Sequence, residues 1–367
     1  MYRKVTLLML LAATTHLCIA QNIRQSKIWN PANDQASAVN GQGWHTGLKN
    51  YYDRFPAKAA TSVRTDVWKL SRNSAGLYLR FKSDAPGMIV RYGTSGSIQM
   101  PNMAATGVSG LDLYAKGADG HWVWAAGKYT YGDTIVCRFT NLKTADHSVP
   151  EYTLYLPLYN SVNWMEIIVP EQSTLTPIPA SVQKPIVVYG TSIAQGASAS
   201  RPGLAWTSIL GRKLDRPVVN LGFSGNGQLE KEVCELLSEI DASLYVLDCL
   251  PNLTRPEYTN EEIINRVEAT VAHLQLKRPG VPILLTEHDG HMDDGLNPNA
   301  RKAYERVNFA LNTAFAKLKE KGVKQVYLLS KAAINQDIES TVDGTHPNDI
   351  GMMHYAEAYE KAIRKIK

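Results

Sequence analysis

The sequence predicts an α/β fold, a doubly wound parallel sheet in the C-terminal half, preceded by an antiparallel β-sandwich. Three observations carry this prediction. Between residues 77 and 169, short alternating runs are bounded by Gly, Asn and Asp, as in a sandwich. Prolines then recur between Pro170 and Pro185. Beyond them, short apolar runs alternate with helix-length segments, the pattern of a parallel sheet covered on both faces.

The N-terminal half divides into runs of strand length. Sandwich strands are predicted at 77–81, 88–92, 111–114, 122–124, 134–139, 152–156 and 165–169. The prolines that follow fix φ and lack an N–H donor, so we expect an extended linker there. The predicted organisation is a signal peptide at 1–20, a β-sandwich domain at 21–170, a linker at 171–185 and an α/β domain at 186–367.

The C-terminal half alternates between buried strands and helices. Strands are predicted at 186–189, 218–221, 244–248, 282–286 and 326–329, and helices at 205–214, 229–240, 261–276, 298–321 and from 347 onward. In such sheets ligands bind at the carboxyl ends of the strands. A site in this domain is therefore expected on the loops that follow the strands.

The first twenty residues have the pattern of a secretory signal peptide. Basic Arg3 and Lys4 precede an apolar stretch at 5–13, and small Ala20 precedes Gln21. Cys18 raises the alternative of a lipoprotein, which Leu17 disfavours because a small residue normally precedes a lipidated cysteine. We therefore expect a periplasmic or secreted protein.

The composition of the chain limits the classes of partner that we expect it to bind. The chain of 367 residues has a formal net charge of +5, which becomes +3 if Arg3 and Lys4 are removed, and no basic run is interleaved with aromatics. Nucleic acid is therefore not an expected partner. After signal cleavage we expect no integral membrane segment. The spacing of the cysteines predicts neither a disulfide framework nor a zinc site, and the composition leaves the oligomeric state open.

A short loop and a turn supply the residues of a nucleophilic site. Asp343 lies three residues before His346, and Ser192 follows an apolar strand run that breaks at a glycine. Ser192 would attack a carbonyl, His346 would take its proton, and Asp343 would fix the tautomer of the imidazole. Asp248, at the end of the third parallel strand, competes for the role of the acid, but the Asp343 spacing suits it better.

The same strand ends offer donors for an oxyanion hole. Candidates are the backbone N–H of Ser192, the backbone N–H of Gly225 and the side-chain amide of Asn252. Each motif alone has a structural interpretation, since Thr191 and Ser192 could cap a helix and Pro347 could begin one. Their convergence at strand ends favours the catalytic interpretation.

Other polar residues lie near the predicted rim. Arg201 is expected either to bind substrate or to pair with a surface carboxylate. Glu287 and His288, in the polar loop 287–294, are candidates for substrate contact. A divalent metal in that loop is an alternative, but serine hydrolysis requires none, so we expect neither a metal nor another cofactor.

These motifs resemble SGNH hydrolases of the GDSL esterase superfamily. The resemblance is carried by Gly190-Thr191-Ser192-Ile193, residues 220–226, Pro251-Asn252 and Asp343-Gly344-Thr345-His346-Pro347. It implies an SGNH hydrolase fold, which is flavodoxin-like, with catalytic roles for Ser192, His346 and Asp343. Thr191 departs from the usual Asp of the nucleophile block. Gly110-Leu111-Asp112-Leu113-Tyr114 is similar to the Gly-x-Asp-Leu-Tyr motif of a branch with an N-terminal β-domain.

The function implied is that of an exported serine esterase acting through an acyl-enzyme, with O-acetyl groups on carbohydrates as the expected substrates. Two alternatives remain open. A lipid or thioester deacylase would need a contiguous apolar groove, whereas the loops at 252–260 and 287–299 are polar. A non-catalytic carbohydrate-binding protein would use the β-domain for recognition.

Overall fold

The computed structural model describes residues 26–34, 39–117, 119–143 and 148–366. The predicted signal peptide, including Cys18, lies outside the described residues. Within the described ranges, no helix combines the length and the apolarity needed to cross a membrane.

The N-terminal part is a sandwich of two antiparallel sheets. Its strands are β1 (Ser26–Trp29), β2 (Val39–Asn40), β3 (Tyr78–Ser83), β4 (Gly87–Thr94), β5 (Asp112–Lys116), β6 (Trp122–Ala125), β7 (Gly127–Thr130), β8 (Ile135–Thr140), β9 (Glu151–Tyr155), β10 (Val162–Pro170) and β11 (Leu175–Pro177). One sheet has the order β1-β10-β4-β8-β7, and the other has the order β11-β3-β9-β5-β6 with β2 paired to β3. Alternate residues such as Phe81, Val90 and Leu154 fill the core between them.

All seven predicted sandwich strands are present, and β1, β2, β7 and β11 were not predicted. Two short helices, α1 (Thr65–Ser71) and α2 (Ala105–Val108), lie between the strands. The segment 171–185 contains β11, which pairs antiparallel with β3 before the chain leaves the sandwich.

The C-terminal part is a five-stranded parallel sheet. Its strands are β12 (Ile186–Gly190), β13 (Val218–Gly222), β14 (Leu244–Asp248), β15 (Ile283–Thr286) and β16 (Val326–Leu329). The spatial order β13-β12-β14-β15-β16 is the flavodoxin-like order. The predicted fold class is thus confirmed.

Helices cover both faces of this sheet. They are α3 (Ser192–Gln195), α4 (Trp206–Leu214), α5 (Lys231–Leu237), α6 (Asn260–Lys277), α7 (Pro298–Glu320), α8 (Lys331–Ile334) and α9 (Asp349–Ile363). Val187 and Tyr189 pack on the side of α5, α6 and α7, whereas Val188 packs on the side of α4 and α9. Because adjacent strand residues face opposite sides, continuous apolar runs are needed to fill both cores.

The longer helices begin where the sequence supplies a cap. The side-chain oxygen of Thr259 accepts from the N–H of Glu262 at the start of α6, Asn297 accepts from Ala300 at the start of α7, and Asn348 accepts from Ile350 and Gly351 at the start of α9. These bonds satisfy N–H groups that have no partner within the helix. The last cap places α9 directly after the loop that carries His346.

Buried polar contacts join the two parts. The guanidinium of Arg54, which is 1% exposed, donates to the carbonyls of Asn220 and Gly222 at 3.1 and 2.8 Å, at the carboxyl end of β13. Asp112, from the Gly-x-Asp-Leu-Tyr motif, accepts from the Arg201 guanidinium at 2.6 Å and from the Gly203 N–H at 2.9 Å. The sandwich is therefore fixed against the edge of the parallel sheet near Ser192.

Candidate active site

Ser192 lies at the turn between β12 and α3. Thr191 caps the helix, with its hydroxyl oxygen 3.3 Å from the N–H of Ile193, and Ser192 is the first helical residue. The loop after β13 packs closely on this turn, since a Cβ at position 227 would collide with the carbonyl oxygen of Gly190. Ser192 is 8% exposed, so the turn holds its hydroxyl in a largely enclosed position at the sheet edge.

The structure brings Ser192, His346 and Asp343 into one chain of hydrogen bonds. The Oγ of Ser192 lies 2.9 Å from Nε2 of His346, and Nδ1 of His346 lies 2.8 Å from Oδ2 of Asp343. The other carboxylate oxygen accepts from the backbone N–H groups of His346 and Thr345 at 2.8 and 3.2 Å. These contacts hold the imidazole with Nε2 facing the serine.

The environment of Asp343 favours its ionised form. Burial acts to raise its pKa, but the hydrogen bonds from His346, together with one from Asn102, lower the pKa to about 2. The carboxylate is therefore charged at neutral pH. A charged partner at Nδ1 stabilises the imidazolium that forms when His346 accepts a proton.

Three donors lie at the neighbouring strand ends. Among the described residues, neither the N–H of Ser192 nor that of Gly225 has a hydrogen-bond acceptor. Gly225 has a φ of +68°, which a residue with a side chain rarely adopts. Both N–H groups are consequently available to a ligand.

The amide of Asn252 supplies the third donor. One end of this amide lies 2.9 and 3.0 Å from the backbone N–H groups of Asn226 and Gly227, and we assign the oxygen to that end because it can accept both bonds. The NH₂ group is then the part left to donate. Asn252 is 9% exposed, so this donor is shielded from bulk water.

Two side chains of the N-terminal domain bond to Asp343 and Ser192 themselves. The amide Nδ2 of Asn102 donates to Oδ2 of Asp343 at 3.2 Å, and the hydroxyl of Tyr159 donates to the carbonyl of Ser192 at 3.4 Å. Neither residue was predicted from the sequence. Neither belongs to a motif, and each lies far along the chain from the group it contacts, so local pattern gave no signal.

Glu287 and His288, the candidates for substrate contact in the loop 287–294, both have partners within the protein. His288 is 1% exposed, and its contact with substrate stays a prediction. Each carboxylate oxygen of Glu287 accepts one hydrogen bond, one from the Asn312 amide at 2.6 Å and the other from the N–H of Lys331 at 2.7 Å. Glu287 thus anchors the start of α8.

The same loop supports the segment that carries His346. The N–H of Met292 donates to the carbonyl of Gly344 at 2.8 Å, and Nδ1 of His291 lies 2.8 Å from the hydroxyl of Thr345. In the described part of the chain, no group of three or more His, Cys, Asp or Glu side chains is arranged to hold a metal ion. The polar residues of this loop are mostly used in bonds to neighbouring segments.

Arg201 and Asp248 each bond to a buried side chain. Arg201 is bound to the 2% exposed Asp112 and to the Tyr114 hydroxyl, both at 2.6 Å, and its guanidinium lies 4.4 Å from the ring centroid of Trp124. Its carboxylate partner is therefore buried and structural. Asp248 is 1% exposed and accepts from the Tyr359 hydroxyl at 3.1 Å, whereas Asp343 is the carboxylate that contacts His346.

Two protein-family models match this chain, one over the α/β domain and one over the β-sandwich. Residues 183–364 match the model of the GDSL-like lipase/acylhydrolase family, and residues 27–175 match the model described as the N-terminus of SGNH-hydrolase-type esterases. A search of curated proteins found no match.

Solved structures share the whole architecture. A protein from Bacteroides ovatus ATCC 8483 described as a GDSL-like lipase is 35% identical, with a TM-score of 0.84, over 93% of this chain and 98% of that one. The salicylyl-acyltransferase SsfX3 of a tetracycline biosynthetic pathway is 18% identical, with a TM-score of 0.69, over 93% and 97% of the two chains. Est2A, an acetyl xylan esterase from the rumen bacterium Butyrivibrio proteoclasticus, is 10% identical, with a TM-score of 0.53, over 92% and 98%. The chain therefore belongs to the SGNH (GDSL-like) lipase/acylhydrolase family and carries the N-terminal domain of SGNH-type esterases.

Proposed function

We propose that this protein is an exported serine esterase that removes O-acetyl groups from carbohydrates through an acyl-enzyme. The observation that carries the proposal is the hydrogen-bonded chain from Ser192 through His346 to Asp343, together with the backbone N–H groups of Ser192 and Gly225, which have no acceptor among the described residues. A nucleophile, a base, an acid and oxyanion donors are the parts that acyl transfer needs.

The reaction would proceed in two halves. Oγ of Ser192 attacks the ester carbonyl carbon while its proton passes to Nε2 of His346, and the carbonyl oxygen becomes an oxyanion held by the three donors. The proton then passes to the sugar oxygen, the C–O bond breaks, and the alcohol leaves an acetylated Ser192. Water, deprotonated by His346, hydrolyses this ester and releases acetic acid.

A short acyl group on a sugar suits the surroundings of the site. Arg255 contributes a guanidinium near the donors, with one of its nitrogens 3.3 Å from the carbonyl of Gly225. Polar side chains can hydrogen-bond sugar hydroxyls, while a long acyl chain would need an apolar groove. Est2A, which shares this fold, is an acetyl xylan esterase. The basic and apolar segment at 3–13 supports export.

The test is acetate release from a panel of acetylated plant and host polysaccharides. Ser192→Ala should lose all acetate release above the blank, while the matched control Ser208→Ala, at a buried position on α4, should retain it. Aryl acetate and aryl octanoate, compared under the same conditions, separate an acetylesterase from a lipid deacylase. Wild-type turnover by Ser192→Ala would show the mechanism to be wrong, and activity confined to the octanoate would show the substrate class to be wrong.

A further inference from the structure

The carboxylate of Asp343 accepts four hydrogen bonds, and one of them comes from the other domain. Three donors belong to its own loop: the N–H groups of Thr345 and His346 on Oδ1, and Nδ1 of His346 on Oδ2. The fourth is Nδ2 of Asn102, 3.2 Å from Oδ2. A carboxylate has about four lone-pair positions, so Asn102 completes its set of donors.

We propose that Asn102 is a positioning residue, through which the N-terminal domain holds the acid of the triad in line with His346. Oδ2 is the oxygen that faces the imidazole, so a second donor on it restrains both the rotation and the displacement of the group that orients the base. This inference rests on the proposed serine-esterase function, because it assigns a role within that same site.

The segment that carries Asn102 is built to hold it in place. Met100 and Met103 exchange two backbone hydrogen bonds, at 3.1 and 3.2 Å, which close a tight turn around Asn102. The carbonyl of Asn102 accepts from the hydroxyl of Ser198 at 3.0 Å. The amide therefore approaches Asp343 from a turn that is fixed on both sides.

Ser198 is itself in an uncommon conformation. Its φ is +69°, a region that non-glycine residues seldom adopt, and it lies on the loop that follows the nucleophile helix α3. Strained residues of this kind persist where the surrounding structure requires them, often near functional sites. In this structure the same residue, Ser198, donates its hydroxyl to the carbonyl of Asn102.

A second contact across the same interface provides a matched control. The hydroxyl of Thr106 donates to the carbonyl of Ser200 at 2.6 Å, so it joins the N-terminal domain to the loop that follows the nucleophile helix and does not bond to Asp343. Loss of this bond should weaken the interface as loss of the Asn102 amide does. Only the Asn102 change should alter the triad.

The experiment measures kcat and KM for an aryl acetate with the full chain carrying Asn102→Leu, Asn102→Asp or Thr106→Val. A hydrogen bond to a charged group of this strength predicts a loss of about tenfold in kcat for Asn102→Leu, with little change in KM. Thr106→Val should keep the wild-type kcat. Equal kcat values for Asn102→Leu and Thr106→Val, in preparations with equal folded fractions, would overturn the proposal.

The near-isosteric Asn102→Asp gives an independent readout if the leucine variant does not fold. Two carboxylates separated by the 3.2 Å of this contact cannot both ionise freely, so kcat/KM should depend on pH differently from wild type. A wild-type pH profile would contradict the contact. Wild-type protein with no Ser192-dependent turnover would instead refute the proposed function.

Discussion

Replacement of Asn252 by alanine separates oxyanion stabilisation from structural support. The side chain has two roles in the structure: its oxygen accepts from the N–H groups of Asn226 and Gly227, and its NH₂ is left to donate. Loss of one oxyanion donor lowers kcat by about 10² to 10³, or roughly 3 to 4 kcal/mol. We expect Asn252→Ala to lose that much in kcat, with KM nearly unchanged.

The structural part of the change should be small. The N–H groups of Asn226 and Gly227 also donate to the carbonyl of Phe223, at 2.8 and 3.0 Å, so neither is orphaned when the amide is removed. The free energy of unfolding should therefore fall by only about 1 kcal/mol. Steady-state kinetics on an aryl acetate and thermal unfolding of the same samples measure the two effects separately.

Asn252→Asp makes the test sharper, because the carboxylate keeps an oxygen for the two loop N–H groups and replaces the NH₂ donor by a second acceptor. It should unfold no more easily than Asn252→Ala, yet its kcat should be lower, since a negative charge beside the oxyanion opposes its formation. The oxyanion role would be refuted if Asn252→Asp were more active than Asn252→Ala, or if Asn252→Ala kept kcat within a factor of about three.

Two further predictions concern buried charges. Burial, together with the carboxylate of Asp289, raises the pKa of Asp248 to about 7, so its cost to the folded state grows as pH rises from about 4 to 7 and reaches up to about 4 kcal/mol. Asp248→Asn should therefore become more stable relative to wild type across that range in denaturant titrations, whereas the exposed control Asp66→Asn should not; a parallel pH profile for the Asp248 variant would contradict this. Arg201→Met should lower the free energy of unfolding by about 3 kcal/mol by leaving Asp112 buried without its cation, and Asp112→Asn in the same chain should restore part of the loss. Neither Arg201→Met nor Asp112→Asn should alter KM. A raised KM in folded Arg201→Met protein would instead indicate that Arg201 binds substrate.

The α/β domain was predictable because its strands fill two cores at once. Each strand had to be a continuous apolar run, and the longer helices begin at side chains of a capping type, such as Thr259 and Asn348. The short strands of the sandwich gave a weaker signal. Strand β7 (Gly127–Thr130) has only alternating partial burial, and β11 (Leu175–Pro177) is three residues long and ends in proline. Such strands form because a neighbouring strand supplies hydrogen-bond partners for the backbone and side chains to pack against.

The main residues of the candidate site were predictable for a related reason. Parallel strands bring their carboxyl ends to one edge, so glycine, serine and asparagine after each strand must converge there. Polar residues beside that edge were less predictable. His288 lies in a segment rich in polar residues, which is typical of a solvated loop. Its side chain is nevertheless buried, and Asn308 bonds to both its backbone N–H and its carbonyl, at 2.7 and 2.9 Å. The periodicity of a sequence indicates which positions are apolar, but it does not indicate which polar side chains will form hydrogen bonds within the protein.

The ion pair between Asp112 and Arg201, which joins the two domains, is a contact whose need could have been inferred from the sequence. Asp112 is a charged residue within a strand run, and a carboxylate buried there must be neutralised or paired. Arg201 follows the nucleophile helix, and it pairs with Asp112 in the structure at 2.6 Å. Because each of the two parts supplies one charge of this pair, the bond fixes the sandwich relative to the loop after the nucleophile helix, and Asn102 reaches Asp343 from the same side. The Gly-x-Asp-Leu-Tyr motif thus acts on the site indirectly, by setting the position of the domain that carries Asn102.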